Sequence, residues 1–458
     1  MSIQRLMAAF VLCFGVMPVK ASFDFGLHLY DQEDYAGAYR EFRRAASHGH
    51  KEARYNLGVM YLQGQHVEQD WLQAYAWLSL AYAEGDTQEV SPVHERIFDS
   101  FPEETQAEAQ VVADAIQARY SEAAIVERLR PNPERLTGYT NFNRPIRHAA
   151  IEFPRRLARI GAEGWADVRF TIDEDGNTRD HYVIHATHEG FGRAAIDAVR
   201  GHLYEPIKYG SHPTAAYGAS YRINFFMEGG GVADREVRRI ITRERDRARG
   251  GDAGEKFSYA YLLSMISGWT QGELRGVDFD DPYDWFWRSA SMGHGAAAYM
   301  LGSHMLNFGD IEHGQLWLWR AAEQNLTDAE YTLGMEYLTG VRLEQNVALG
   351  QFLLRRAARS LPAAQIQYAW MLATHPDESF RNAELAEELL DRIERRYHDK
   401  QSYYQARAAL AADTGDFRSA VRWQERALED AKSLGIHTDT QQVRLQNYQN
   451  ERPWRESL

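Results

Sequence analysis

Apolar and small residues recur along this chain at helical spacing, and they recur in blocks. Ala38, Phe42, Ala45 and Gly49 return about 36 residues later as Ala74, Leu78, Ala81 and Gly85, with Ala53 to Tyr61 between them. Downstream, Trp285-Phe286-Trp287-Arg288-Ser289-Ala290 is echoed by Trp317-Leu318-Trp319-Arg320-Ala321-Ala322. Tyr299-Met300-Leu301-Gly302 is echoed by Tyr331-Thr332-Leu333-Gly334, and a third copy follows at Arg356-Ala357-Ala358 and Tyr368-Ala369. Ala and Gly at fixed helical spacing let two antiparallel helices approach closely, while Leu, Tyr and Trp fill the space between one pair and the next. One pair alone cannot bury its face, so the pattern predicts stacked pairs. Near the C-terminus, Ala408, Gly415, Phe417, Ala420 and Ala427 predict one more helix pair turning at Gly415-Asp416-Phe417. Glu103 to Leu129 reads as one long helix with Val112, Ile116 and Tyr120 on a stripe, ended by Pro131 and Pro133.

Between the two sets of repeats the period changes. Ala166, Val168, Phe170 and Ile172 alternate with Asp167, Arg169, Thr171 and Asp173, which predicts a strand with one buried face. Asp175-Gly176 supplies a hairpin turn, Arg179 to Ala186 the returning strand, and Phe191 to Tyr204 an amphipathic helix with Ala195, Val199 and Leu203 on one side. Tyr221, Ile223 and Phe225 alternate once more in a last strand.

The repeats resemble Sel1-like repeats. The Leu-Gly-x-x-Tyr element stands at Leu57-Gly58 through Tyr61 and at Leu333-Gly334 through Tyr337, and the Arg-Ala-Ala element at Arg320-Ala321-Ala322. Residues 401–431 resemble a single tetratricopeptide unit. The central segment resembles the C-terminal domain of TonB-type energy transducers over roughly residues 140–228. That resemblance is carried by Phe153-Pro154, Gly164 before the strand, Ile172-Asp173 with Asp175-Gly176, the helix opening at Phe191, Tyr204-Glu205-Pro206 and Ile223-Asn224-Phe225. The expected fold class is therefore mainly α: a solenoid of Sel1-like and tetratricopeptide-like helix pairs flanking a small α+β domain.

The first residues change the picture of where the chain works. Arg5 precedes the apolar run Leu6 to Val19, and Val19-Lys20-Ala21 then offers a small residue before Ser22, so export with cleavage after Ala21 is expected. About 14 apolar residues at roughly 1.5 Å each span only about 21 Å, short of the roughly 30 Å hydrocarbon core. Cys13 is the single cysteine, and Leu12 stands where a lipoprotein signal has a small residue. A mature chain would then carry no thiol, no disulfide and no Cys-bound zinc. The predicted organisation is a signal peptide over 1–21, Sel1-like repeats and the long helix over 22–130, and the TonB-like domain over 138–228. A charged and Gly-rich linker follows over 229–256, then Sel1-like repeats over 257–375 and a tetratricopeptide-like unit over 376–458.

Net charge is −14, and −16 once Arg5 and Lys20 leave, because residues 1–21 contain no acid. That balance opposes general binding to nucleic acid. The Arg-rich run Val237 to Arg249 is interleaved with Glu244 and Asp246 and preceded by Glu236, and reads as a solvated helical linker. His181, His185 and His188 invite a metal reading, since i and i+4 on a strand share a face, but half-exposed sheet and loop positions are the preferred reading. His48, His50 and His294 are read as turn residues, and the recurring tryptophans as packing. No His-Glu-x-x-His, Gly-x-Ser-x-Gly or phosphate-loop motif is present, so no enzyme, no cofactor and no metal is expected.

The leading expectation is a periplasmic scaffold whose partners are envelope proteins, without membrane insertion after cleavage. Its repeats would hold one protein and the sheet edge of its TonB-like domain an extended peptide. By the resemblance, that edge is the last strand, with Tyr221, Arg222, Asn224 and Phe226 as the peptide-binding residues and an outer-membrane transporter peptide among the ligands implied. The alternatives are a TonB-type energy transducer, which requires the first segment to stay uncleaved, and a cell-wall-acting enzyme.

Overall fold

The computed structural model describes residues 21–84, 93–131, 145–227, 234–269, 279–393 and 400–456. The expected signal peptide (apart from Ala21), Gly85 and Gly229-Gly230-Gly231 lie outside the described residues. The first helices are α1 (Ala21–Asp31), α2 (Tyr35–Ser47), α3 (Lys51–Gln63) and α4 (Trp71–Glu84). The recurring small residues do what their spacing predicts: Ala38, Phe42, Ala45, Ala53, Leu57 and Ala74 are all wholly buried. A Cβ added at Gly58 would lie 2.6 Å from Leu78 Cγ, so α3 and α4 meet at a position only glycine allows. α5 (Val93–Asp99), α6 (Glu103–Tyr120) and α7 (Glu122–Arg128) follow. The expected single helix from Glu103 to Leu129 is broken at Ser121, whose ψ of 153° leaves the helical region and whose hydroxyl accepts the Ala124 N–H at 3.3 Å. A serine that can cap competes with helix continuation, and here the cap wins.

The central segment holds α8 (Arg155–Arg159), β1 (Gly164–Ile172), β2 (Thr178–Ala186), α9 (Glu189–Val199), β3 (Ile207–Tyr209), β4 (His212–Thr214) and β5 (Ala216–Phe225). β1 is central in an antiparallel sheet of order β2-β1-β5, and β3 pairs with β4 in a separate small hairpin. Ala166, Val168, Phe170 and Ile172 pack with Phe191, Ala195 and Val199 of α9 and with Ile223 and Phe225 of β5. Gly176 sits in the hairpin turn with φ +82°, and Asp173 Oδ1 accepts the Asp175 and Asn177 N–H groups at 3.0 and 2.8 Å. The helix expected to run to Tyr204 stops at Val199. Beyond it, Leu203 N–H donates to Arg147 O (3.0 Å) and Tyr204 N–H to Gly176 O (2.8 Å), so these amides serve the sheet side of the domain instead.

The second helical array comprises α10 (Asp234–Gly250), α11 (Ala253–Trp269), α12 (Pro282–Ser291), α13 (Gly295–Asn307), α14 (Ile311–Ala322), α15 (Thr327–Thr339), α16 (Val347–Ala357) and α17 (Pro362–Thr374). It continues through α18 (Ala383–Ile393), α19 (Lys400–Asp413), α20 (Phe417–Ser433) and α21 (Asp439–Gln449). The Arg-rich run is more than a solvated linker: over α10 it buries Val237, Ile241 and Ala248 in the same core as Tyr259 and Trp285. The arginines occupy the remaining faces. Added Cβ atoms at Gly302 and Gly334 would lie 2.8 Å from Leu318 N and 3.2 Å from Leu354 N, which makes both glycines close helix contacts.

The two arrays, far apart in sequence, share one core in which Phe25, Ile125 and Leu129 join Trp317, Leu318 and Leu353. Trp287 Nε1 donates to Val126 O at 3.2 Å and Trp317 Nε1 to Leu129 O at 2.9 Å. The last carbonyls of a helix lack intrahelical donors, and here one tryptophan from each of two successive repeats supplies them at the end of α7. Arg320 reaches the Glu122 carboxylate and His48 O, both at 3.1 Å, and Asp24 of α1 pairs with Arg356 of α16 at 2.8 Å.

Candidate functional site

Alternation in β1 predicts a dry face and a wet face, yet Asp167, Arg169 and Thr171 are all buried. They are covered by the second array. The Asp167 carboxylate accepts from Arg222 Nε at 2.5 Å and Nη2 at 2.6 Å, the residue directly opposite it on β5, and from Tyr261 Oη of α11 at 2.6 Å. Arg169 donates to Asp328 of α15 at 2.6 Å and lies over the Tyr299 ring of α13 at 4.6 Å, while the Tyr182 hydroxyl donates to the same Asp328. On β2, Asp180 pairs with Arg179 and accepts from Tyr331 Oη at 2.9 Å and from Gln367 Nε2 of α17 at 2.8 Å. The polar face of the sheet thus lies across α11, α13, α15 and α17.

The electrostatics of this contact follow from burial and pairing. Burial alone would raise the Asp328 carboxyl, but Arg169 and the Tyr182 hydroxyl hold it below the usual carboxylate value. Burial pushes the Tyr182 phenol well up, and the Asp328 charge pushes further the same way, so Tyr182 is a donor throughout the working pH range. Gly218, with φ +80°, lets β5 approach α13 where any Cβ would collide with the Tyr299 hydroxyl. Arg342 donates to Ala215 O at 2.9 Å while paired with the buried Glu336, and Asn307 donates to Tyr217 O at 3.3 Å. Sequence reasoning missed these anchoring residues, because each is a solenoid side chain whose partner lies about a hundred residues away or more.

Among the described residues no strand pairs with the outer side of β5. The four residues expected at that edge divide between two roles. Tyr221 is half-buried on the α9 side, its ring edge-on to His202 at 5.2 Å. Arg222 is bound up inside the molecule through Asp167 and by stacking over Trp165 at 3.9 Å. Asn224 stands opposite Trp165 on β1, and Phe226 is 38% exposed just past the strand end. Ile223 and Phe225, 1% and 2% exposed, belong to the core.

The histidines take structural positions. Two irregularities in β2, one after Arg179 where Asp180 has φ +59° and one at Ile184, separate the histidines that simple alternation would put on one face. His181 stacks on Phe170 in the core, whereas His185 stands opposite Asp167 in the ladder, and His188 caps α9 through the Gly190 N–H at 2.9 Å. Among the described residues no group of three His, Cys, Asp or Glu side chains is placed to hold a metal. His50 and His294 cap α3 and α13 by accepting the Ala53 and Ala297 N–H groups at 3.3 and 3.2 Å. Burial lowers His48 to about 3 as it stacks on Trp319, and burial with His148 lowers His202 to about 4 as its Nδ1 accepts the Ala149 N–H. Trp317 and Trp319 are wholly buried.

Comparison with known proteins agrees with this anatomy. The family model described as Gram-negative bacterial TonB protein C-terminal matches residues 149–227, and the Sel1 repeat model matches residues 51–86, 295–326 and 327–360. The chain therefore combines Sel1 repeats with a TonB C-terminal domain, two modules of protein-interaction type. Similar solved structures include a protective antigen of uropathogenic Escherichia coli strains displaying an SLR fold, at 15% identity and TM-score 0.31, over 94% of this chain and 76% of that one. A Sel1 repeat protein from Oxalobacter formigenes is similar at 12% identity and TM-score 0.29, over 82% of this chain and 100% of that one. None of the curated proteins compared matches the chain.

Proposed function

We propose that this chain is a periplasmic interaction scaffold in which the TonB-like sheet, held by its polar face on the repeats, offers the outer edge of β5 to an extended peptide of an envelope protein, while the repeats hold a second protein. The observation that carries this reading is the contrast between the two sides of β5: its polar side chains are committed to α11 and β1, yet among the described residues no strand lies along its outer edge. An edge strand presents unpaired N–H and C=O groups to which a peptide can add, with side chains at alternate positions setting selectivity. Phe226, 38% exposed, is the side chain best disposed for that second task, since Arg222 is engaged internally.

Cleavage after Ala21 would favour a scaffold over an energy transducer. Asp24, three residues beyond the expected cleavage point, is paired with Arg356 of α16, so a chain cleaved there would enter the repeat fold within its first helix. Among the described residues no helix is long and apolar enough to cross a membrane. Intact-mass measurement on protein from the native envelope should give a chain beginning at Ser22. A crosslinking pull-down from that envelope, comparing the whole chain with its Asn224→Pro variant, tests the edge. Proline removes one backbone donor and is tolerated at an edge, so the variant should stay folded and lose one set of partners. Equal recovery of all partners by both proteins would refute the reading.

A further inference from the structure

We infer that α8 and its flanks form a docking surface for an anionic membrane, distinct from the β5 edge and independent of whether that edge takes a peptide. Arg155, Arg156 and Arg159 all project to solvent from the single turn of α8, and among the described residues none has an ion-pair or hydrogen-bond partner. Other exposed arginines are paired, as Arg193 is with Glu189 and Arg288 with Asp284, or stand apart on longer helices, as Arg96 and Arg418 do, whereas here three share one turn. Ile151 and Ile160 bracket the same turn and are 47% and 72% exposed. Glu152 and Glu163 also flank it, but the Glu163 carboxylate is taken up by the Met227 N–H at 2.9 Å.

The turn is rigid. Leu157, 3% exposed, pins it into the core with Phe191 and Phe225, on the α9 side of the sheet. Unpaired arginines with exposed aliphatic neighbours suit a lipid headgroup region, where guanidinium groups meet phosphates and isoleucine enters the acyl boundary. The protein's overall acidity does not forbid this, because charges farther away than roughly 8 Å are largely screened at physiological salt.

The test is co-sedimentation of the full mature chain with vesicles of phosphatidylcholine, with and without phosphatidylglycerol. The Arg155→Gln/Arg156→Gln/Arg159→Gln variant and an Ile160→Ser variant are compared, with thermal melting to confirm that each stays folded. The expected result is binding only to the anionic vesicles, weakened by added salt, about tenfold weaker or more in the arginine variant and reduced in Ile160→Ser. Absence of anionic-vesicle binding, equal binding by the arginine variant, or capture by soluble polyglutamate without vesicle binding would overturn it. Success or failure here leaves the Asn224→Pro experiment unaffected.

Discussion

Arg169 and Asp328 stand 159 residues apart in sequence, and their side chains meet at 2.6 Å where the sheet crosses α15. The pair is almost dry, with 10% and 17% of the two side chains exposed, and Tyr182 shares the same carboxylate. A buried pair of this kind fixes how two surfaces fit more than it adds to stability, but removing one partner strands the other.

Asp328→Ala should therefore cost about 3–5 kcal/mol in urea unfolding, because Arg169 and Tyr182 are left buried without their acceptor. Adding Arg169→Met should recover part of the loss. A loss under about 0.5 kcal/mol, the range of an ordinary surface change, would contradict the docking described above.

How much of this was legible beforehand differs between the two faces of one strand. Val168, Phe170 and Ile172 announced the core face, since only burial explains apolar residues at every second position. Asp167 and Arg169 looked like a solvent face, because a polar surface reads the same whether it meets water or Tyr261 and Asp328. Ser121 could have been read as a cap, but the apolar stripe runs on past it to Ile125, and periodicity hid the break. The irregularities in β2 at Asp180 and Ile184 have no local signature such as glycine, so the separation of His181 from His185 was out of reach.

The glycines of the second array should rank by what they touch. Gly302→Ala places a Cβ against the Leu318 backbone N and the Gly314 carbonyl, so the helices must move, at a cost of about 1–3 kcal/mol. Gly334→Ala, at 3.2 Å from Leu354, should cost less, and Gly334→Leu more than Gly334→Ala. Melting temperatures of the three variants test the order, and a stabilised Gly334→Leu would refute the close contact.

Asp173 makes stability depend on pH. Burial outweighs the nearby Arg179 and the Asn177 hydrogen bonds and raises its carboxyl from 3.8 to about 6. A carboxyl raised in the folded state contributes stability that is fully present below its unfolded value and is lost as pH rises through the folded value. An asparagine in place of the acid would mimic the protonated form, so Asp173→Asn should match the wild type near pH 4 and become the more stable protein as pH rises through about 6. Urea midpoints across that interval would count against this assignment if the variant were the less stable protein at neutral pH.

The central claim, that β5 receives an extended peptide along its outer edge, is tested most directly by backbone amide hydrogen exchange on the whole mature chain with and without the segment recovered by crosslinking. The account predicts that added segment slows exchange at alternate amides between Tyr221 and Phe226, that β2 is unchanged, and that Asn224→Pro abolishes the protection while the core amides at Val168 and Phe170 stay slow. Protection confined to the helical repeats, with β5 exchanging as it does in the free protein, would contradict it.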